Sequence, residues 1–188
     1  VITGTELILG GQRSGKSRCA ERRAAIWLSK PGRRAVMLAT ALPHDDEMRQ
    51  RIERHRADRS ARLPGMATQE VPRDLAAALR RHSSPLCLVV IDCLTLWLTN
   101  LLMPIDDQGL DDALWQACSA DFCSALQAAS GPVVLVSNEV GLGVSPLSRE
   151  ARRFIDELGR LHQEVAARCT QVTLMVAGLE MPVKRGMP

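Results

Sequence analysis

Thr5-Glu6-Leu7-Ile8-Leu9-Gly10-Gly11-Gln12-Arg13-Ser14-Gly15-Lys16-Ser17 is the stretch on which the fold turns. A short apolar run enters a glycine-rich turn, and Gly10 to Ser17 fits the pattern G-x-x-x-x-G-K-[ST]. Ala20, Ala24, Trp27 and Leu28 then recur at helical spacing. Strand, glycine-rich loop and helix in that order are the context in which this pattern binds phosphate. Glycines let backbone N–H groups converge on a polyphosphate, and the helix start adds positive potential. Lys16 counters β/γ charge, and the Ser17 hydroxyl can ligate Mg²⁺. The alternative, an ordinary glycine-rich turn, is disfavoured by motif and context together.

Working outward, Lys30-Pro31-Gly32 ends the first helix and Ala35 to Ala39 forms a second strand. Asp45 and Asp46 offer caps to a helix in which Met48, Ile52 and His55 share a face. The pattern breaks around Arg62-Leu63-Pro64-Gly65, before a short strand at ATQEV (67–71) and a helix carrying Leu75, Ala78 and Leu79. Leu86 to Ile91 is a continuous apolar run ending in Asp92, which suits a strand covered on both faces. Pro132 to Val136, ending in Ser137-Asn138-Glu139, and Val172 to Val176 are further strands. Helical patterns Leu114/Cys118/Phe122 and Phe154/Leu158/Leu161/Val165 lie between. This alternation implies right-handed crossovers in a doubly wound, mostly parallel sheet, with ligands at the strands' carboxyl ends. Gly141 to Pro146 reads as a mobile loop. With no repeat or linker visible, residues 1–188 are expected to form a single domain.

Composition narrows the classes. Hydrophobic residues at 46% and charged residues at 24% match soluble globular proteins and exclude disorder or collagen-like structure. Basic residues exceed acids by only three, too even a balance to require nucleic acid or an anionic membrane. Six scattered cysteines without a CxxC pair point to reduced, buried thiols. Leu86 to Ile105 is long enough to span a bilayer, but an aspartate near its centre costs roughly 2.5 to 3.5 kcal/mol on insertion scales. Thr95, Thr99 and Asn100 add polarity, so no stable membrane insertion is expected. No basic-then-apolar leader is visible, which makes the cytoplasm the expected compartment.

Asp92, at the end of the most apolar strand, is a candidate second acid beside the phosphate loop, either on Mg²⁺ or as a base for a substrate hydroxyl. It could also be a simple cap. Glu139 holds the same kind of position. His55 lies among six arginines between positions 49 and 62. By pattern alone it reads as a packed residue on a solvated helix, although such a helix could gather phosphates and a neutral imidazole can attack phosphorus.

GGQRSGKSRCAE, then AT followed by DDEM and RIERHRADR, TQE, VVIDCLTLWLTNLL, VVLVSNEVGLGVSP, and LMVAGL with Lys184 form an ordered set extending over nearly the whole chain. In this set the sequence resembles the bifunctional adenosylcobinamide kinase/adenosylcobinamide-phosphate guanylyltransferase family, enzymes that assemble the nucleotide loop of cobalamin. The resemblance implies an α/β fold, a single P-loop NTPase (RecA-like) domain with a mostly parallel sheet flanked by helices. It implies that His55, in the RIxxHxxxR segment, is the nucleophile that takes GMP from GTP as a phosphoramidate, with Lys16 catalytic at the phosphates. It further implies GTP contacts at Gly10, Gly11, Gln12, Arg13, Ser14, Gly15, Lys16 and Ser17, at Ala39, Thr40 and Ala41, at Arg56, Ala57, Asp58 and Arg59, and at Glu70 and Asp92. Ser17 and Asp92 would serve Mg²⁺. Two departures stand out: the family often has ATS where this chain has Ala39-Thr40-Ala41, and W-x-T-x-E where it has Met66 to Glu70. A serine hydroxyl and an aromatic face are lost there.

The expected activity is therefore twofold. A kinase step would use ATP or GTP to phosphorylate adenosylcobinamide, and a guanylyltransferase step through His55 would convert adenosylcobinamide phosphate to adenosylcobinamide-GDP. The resemblance also implies a homo-oligomer such as a trimer. The rivals are a monofunctional P-loop small-molecule kinase, in which His55 only shapes the arginine helix, and a RecA-like ATPase or nucleotide switch. An aromatic content of 3% weakens a single-strand-binding role, which wants stacking platforms along a basic groove. The absence of an NKxD-type element makes a GTPase switch unattractive.

Overall fold

A computed structural model describes residues 4–43, 45–105, 108–144 and 146–185, with the side chains of Arg51, His55 and Ser60 outside that description. The elements run β1 (Thr5–Gly10), α1 (Lys16–Leu28), β2 (Arg34–Ala39), α2 (Asp46–Arg62), β3 (Met66–Glu70), α3 (Leu75–His82) and β4 (Cys87–Asp92). There follow α4 (Leu94–Leu102), α5 (Asp112–Gln127), β5 (Val133–Asn138), α6 (Arg149–Arg168), β6 (Gln171–Val176) and β7 (Leu179–Lys184).

The seven strands form one sheet in the order β3-β2-β4-β5-β1-β6-β7. All neighbours are parallel except β6 and β7. Six parallel strands thus bring their carboxyl ends to a common edge, where Gly10 lies opposite Asn138 and Ala39 opposite Asp92. Alternate residues of each strand feed two cores. Leu7, Leu38, Val89, Ile91 and Leu135 face α3 to α6, while Ile8, Met37, Leu88, Val90 and Val134 face α1. Because both faces are covered, β4 is buried through its first five residues, which explains its unbroken apolar run. The stretch that was long enough to span a bilayer is β4 followed by α4, and among the described residues no helix is long and apolar enough to cross a membrane.

Asp45 caps α2, its side chain accepting the Met48 N–H at 2.6 Å. Two expectations need correction. In α5 the buried stripe is Trp115, Ser119, Phe122 and Leu126, and Leu114 is exposed. Trp115 wins the core position because its ring packs edge-on against Trp97 at 5.5 Å and its Nε1 donates to buried Glu157 at 2.8 Å. The second is β7, a strand beyond Val176, where the sequence reading placed its last one. Ala177 and Gly178, with φ of 51° and 82°, make the two-residue turn that returns the chain antiparallel.

Candidate functional site

Gly10 closes β1 at the edge between β5 and β6. A Cβ there would sit 2.6 Å from the Met175 carbonyl oxygen and 2.6 Å from Ser14 Oγ, so only glycine lets the loop turn this close to β6. Gly15, with φ of 100°, caps α1 in the left-handed region, and Arg13 also has positive φ. Successive turns of this kind leave backbone N–H groups facing one concavity, an anion nest at a helix start. Lys16 is buried, and its Nζ donates to Gly11 O at 2.6 Å, holding the ammonium across the loop. Ser17 is half-buried, and Gly11, Gln12 and Arg13 are exposed. Ser14 Oγ is buried with no hydrogen-bond partner among the described residues, an anomaly for a protein interior. Two neighbours clamp the loop: Glu139 N donates to Gly10 O at 3.0 Å, and Gly178 N, from the β6–β7 turn, donates to Ser14 O at 3.0 Å.

The β2 and β4 ends lie next in the edge. Thr40 is fully buried; its hydroxyl donates to Cys93 O at 2.7 Å and accepts from Cys93 N at 2.8 Å. Thr40 N donates to Asp92 O at 3.1 Å, and Asn100 Nδ2 donates to Thr40 O at 2.7 Å. The Thr40 side chain is thereby committed to holding the Asp92–Cys93 corner. Ala39 and Ala41 are half-buried on either side of it, and Asp92 is half-buried at the edge.

The arginine helix α2 closes the other side. Arg62 pairs with buried Glu21 of α1 at 2.9 Å, and Arg56 pairs with Glu70 at the end of β3. Arg59, one turn from each, is the most buried side chain described on the helix. Burial pushes its guanidinium pKa down; Asp92 and Glu21 oppose that shift, while Arg56 and Arg62 add to it. Arg59 is thus in the field of the sheet-edge aspartate. Arg56, Ala57 and Asp58 are exposed, as is Glu70. His55 lies in this helix, four residues before Arg59, and its side chain lies outside the described residues. The structure therefore brings together the phosphate loop, the Thr40–Asp92 corner, Glu70 and the arginine face.

Sequence reasoning missed the part played by α6. His162 of α6 is buried and places Nε2 2.7 Å from Ser137 Oγ, with Nδ1 3.8 Å from Glu139 Oε2. Burial lowers the ring's pKa, and Glu139 opposes it. The only signal was a histidine on the polar margin of the Leu158/Leu161/Val165 stripe.

Among the described residues no group of three or more His, Cys, Asp or Glu could hold a metal. The Ser17 hydroxyl and the Asp92 carboxylate, at the carboxyl edge of the sheet, are oxygen donors of the kind Mg²⁺ takes.

A glycine-rich cradle on the strand-to-helix turn of a mostly parallel sheet, with an acid at a neighbouring strand end, defines the P-loop NTPase fold of the RecA-like type. The same fold occurs in the flagellar accessory protein FlaH of Methanocaldococcus jannaschii, at 12% identity over 98% of this chain and 79% of that one, with a TM-score of 0.54. It occurs also in a solved ATPase domain, at 14% identity over 92% of this chain and 69% of that one, with a TM-score of 0.52. Residues 6–183 match the family described as cobinamide kinase / cobinamide phosphate guanyltransferase, and the chain belongs to that family. It is 48% identical over 182 residues to the bifunctional adenosylcobalamin biosynthesis protein CobP of Pseudomonas aeruginosa, covering 95% of this chain and 96% of that protein. It is 38% identical over 186 residues to the bifunctional adenosylcobalamin biosynthesis protein CobU of Escherichia coli, covering 95% of this chain and 98% of that protein.

Proposed function

We propose that this cobinamide kinase and cobinamide phosphate guanylyltransferase performs both reactions at the one sheet edge, with His55 as the temporary carrier of GMP. Residues 1–188 act as one catalytic unit. In the kinase step the γ-phosphoryl group of ATP or GTP passes to the aminopropanol hydroxyl of adenosylcobinamide, and the nucleoside diphosphate leaves. Lys16 and the loop N–H groups stabilise charge on the transferring group, and the Ser14 hydroxyl can donate to a phosphate oxygen. Ser17 and Asp92 would hold Mg²⁺, which neutralises charge on the β- and γ-oxygens when bound.

In the guanylyl step the lone pair of neutral His55 forms a bond to the α-phosphorus of GTP as the bond to pyrophosphate breaks. A phosphate oxygen of adenosylcobinamide phosphate then attacks that phosphorus, and the P–N bond breaks to release the imidazole. Adenosylcobinamide-GDP results. The observation that carries this reading is the anchoring of α2 by Arg62–Glu21 and Arg56–Glu70, with Arg59 in the field of Asp92. It sets the helix that bears His55 against the phosphate edge.

The subunits assemble as a homo-oligomer, a trimer on the family resemblance. The outward residues Leu179, Met181 and Val183 of edge strand β7 are one apolar surface available for it. The mixed charge supports a small-molecule role with no nucleic-acid partner, in the cytoplasm.

Mass spectrometry after incubation with GTP and Mg²⁺ tests the carrier. A GMP adduct, acid-labile and alkali-stable, is expected on His55. His55→Ala should abolish it and guanylyl transfer while kinase turnover persists. An adduct on another residue, or equal loss of both activities in a folded variant, would sink the assignment.

A further inference from the structure

Behind Glu139 lies a line of buried polar groups that the two reactions as described leave unused. Ser137 is wholly buried and Thr95 and His162 nearly so, in a region otherwise filled by leucine and valine. Thr95 Oγ1 accepts the Asn138 N–H at 2.7 Å and lies 3.0 Å from Ser137 Oγ. His162 Nε2 is 2.7 Å from the same serine oxygen, and Nδ1 faces the Glu139 carboxylate at 3.8 Å.

The donor and acceptor inventory of these groups runs one way. A carboxylate only accepts, so the ring proton belongs on Nδ1, facing Glu139. Nε2 is then an acceptor and takes the Ser137 hydroxyl proton. Ser137 Oγ in turn accepts the Thr95 hydroxyl, whose oxygen already accepts from Asn138. The hydroxyls and Nε2 are satisfied with a neutral ring, the form that burial favours, and Nδ1 faces the Glu139 carboxylate beyond hydrogen-bond length.

We propose that Glu139 takes the proton from the acceptor hydroxyl in the kinase step, and that His162 is its positioning residue. The assignment rests on the kinase reading given above. As the hydroxyl oxygen bonds to the γ-phosphorus, its proton passes to a Glu139 carboxylate oxygen and the nucleoside diphosphate departs with the electrons of the broken P–O bond. Three observations suit Glu139 to this role. Its backbone N–H is fastened to Gly10 O at 3.0 Å, which sets it at the rim of the phosphate cradle. Its side chain is about a quarter exposed, 23%, so a substrate can reach it. Its carboxylate faces the His162 ring at 3.8 Å, whereas Asp92 lies in the field of Arg59. Gly141 N, donating to Oε1 at 2.8 Å, fixes the second oxygen.

The test measures kinase kcat, nucleotide KM and GMP labelling in the full chain. Glu139→Gln should lower kinase kcat by about 10²- to 10⁴-fold, the range of a general base. Nucleotide KM and GMP labelling, in which no substrate hydroxyl loses a proton, should stay within about threefold. His162→Asn, which keeps a donor at the Nδ1 position, should retain most kinase kcat; His162→Gln, which keeps only the Ser137 contact, should not. If Glu139→Gln leaves kinase kcat unchanged, or raises KM and lowers labelling in step with it, the assignment is overturned. Equal behaviour of the two His162 variants would reduce that ring to a core contact. A wild-type chain without kinase turnover would remove the functional reading itself, a separate outcome.

Discussion

At Gly10 the backbone carbonyl of Met175 occupies the space a side chain would need. The sequence marks this glycine as part of a phosphate cradle, and the structure adds that the cradle's fit against β6 also requires it. Lys16 is read from the same motif, and its proposed role is to counter phosphate charge. Lys16→Ala should lower both GMP labelling and kinase turnover by roughly 10²- to 10³-fold, as loss of one preorganised cationic donor does. Radiolabelled product assays with α- and γ-labelled nucleotide read the two separately. Thr40 is different. The family resemblance offers it as a nucleotide contact, but its hydroxyl lies between the N–H and the carbonyl of Cys93. Thr40→Val keeps the shape and leaves both groups unpaired in the interior, at a cost of about 1–3 kcal/mol. Urea denaturation should report it as a lower midpoint at unchanged slope.

Among the elements, β7 was the least readable. Its residues are all exposed, so no core pattern announces it, and its turn uses Ala-Gly rather than the common Asn-Gly. Long-range charge holds it instead. Glu180 accepts from Arg22 at 2.9 Å and from Arg23 at 2.6 Å, and Arg23 also bonds buried Glu6 at 2.8 Å. These bonds, with Arg23 the larger influence, depress the Glu180 pKa from 4.5 to about 2, against a smaller upward push from burial. The ionised form is therefore favoured by folding. Its contribution is complete above the unfolded value and is lost as pH falls from about 4.5 to about 2. A third of the side chain is exposed, so solvent screening keeps the effect modest. Glu180→Gln should flatten the fall of Tm with acid in that window and leave the slope above pH 6 unchanged; calorimetry across the range decides it. The same hairpin carries Gly178 against the phosphate loop.

On the scale of the whole molecule, the two cores take up most of the thiols. Cys19, Cys87, Cys93, Cys123 and Cys169 are buried, and Cys118 is partly so. Burial pushes Cys19, Cys123 and Cys169 up to about 11 and Cys93 up to about 12. A thiol reagent at pH 8 should therefore modify Cys118 first in the native chain, with the other five reacting together at the rate of opening. Peptide mapping after timed labelling would show the order. Early reaction of Cys93 would contradict the packing described at the Thr40 corner.

The order of strands and helices as far as β6, the phosphate loop and the sheet-edge position of Asp92 were all determined by sequence, because each depends on neighbours within a few residues of one another. Periodicity also located the faces of α1, α3 and α6, though it mistook the face of α5 by one residue, where a tryptophan displaced a leucine. Only the tertiary structure decided that Thr40 meets Cys93, that Arg23 meets Glu180 and that His162 reaches Ser137 and Glu139. The first three of those meetings join residues 53, 157 and 25 positions apart. No local pattern can encode such a meeting, since it exists only once the sheet has fixed which ends share an edge.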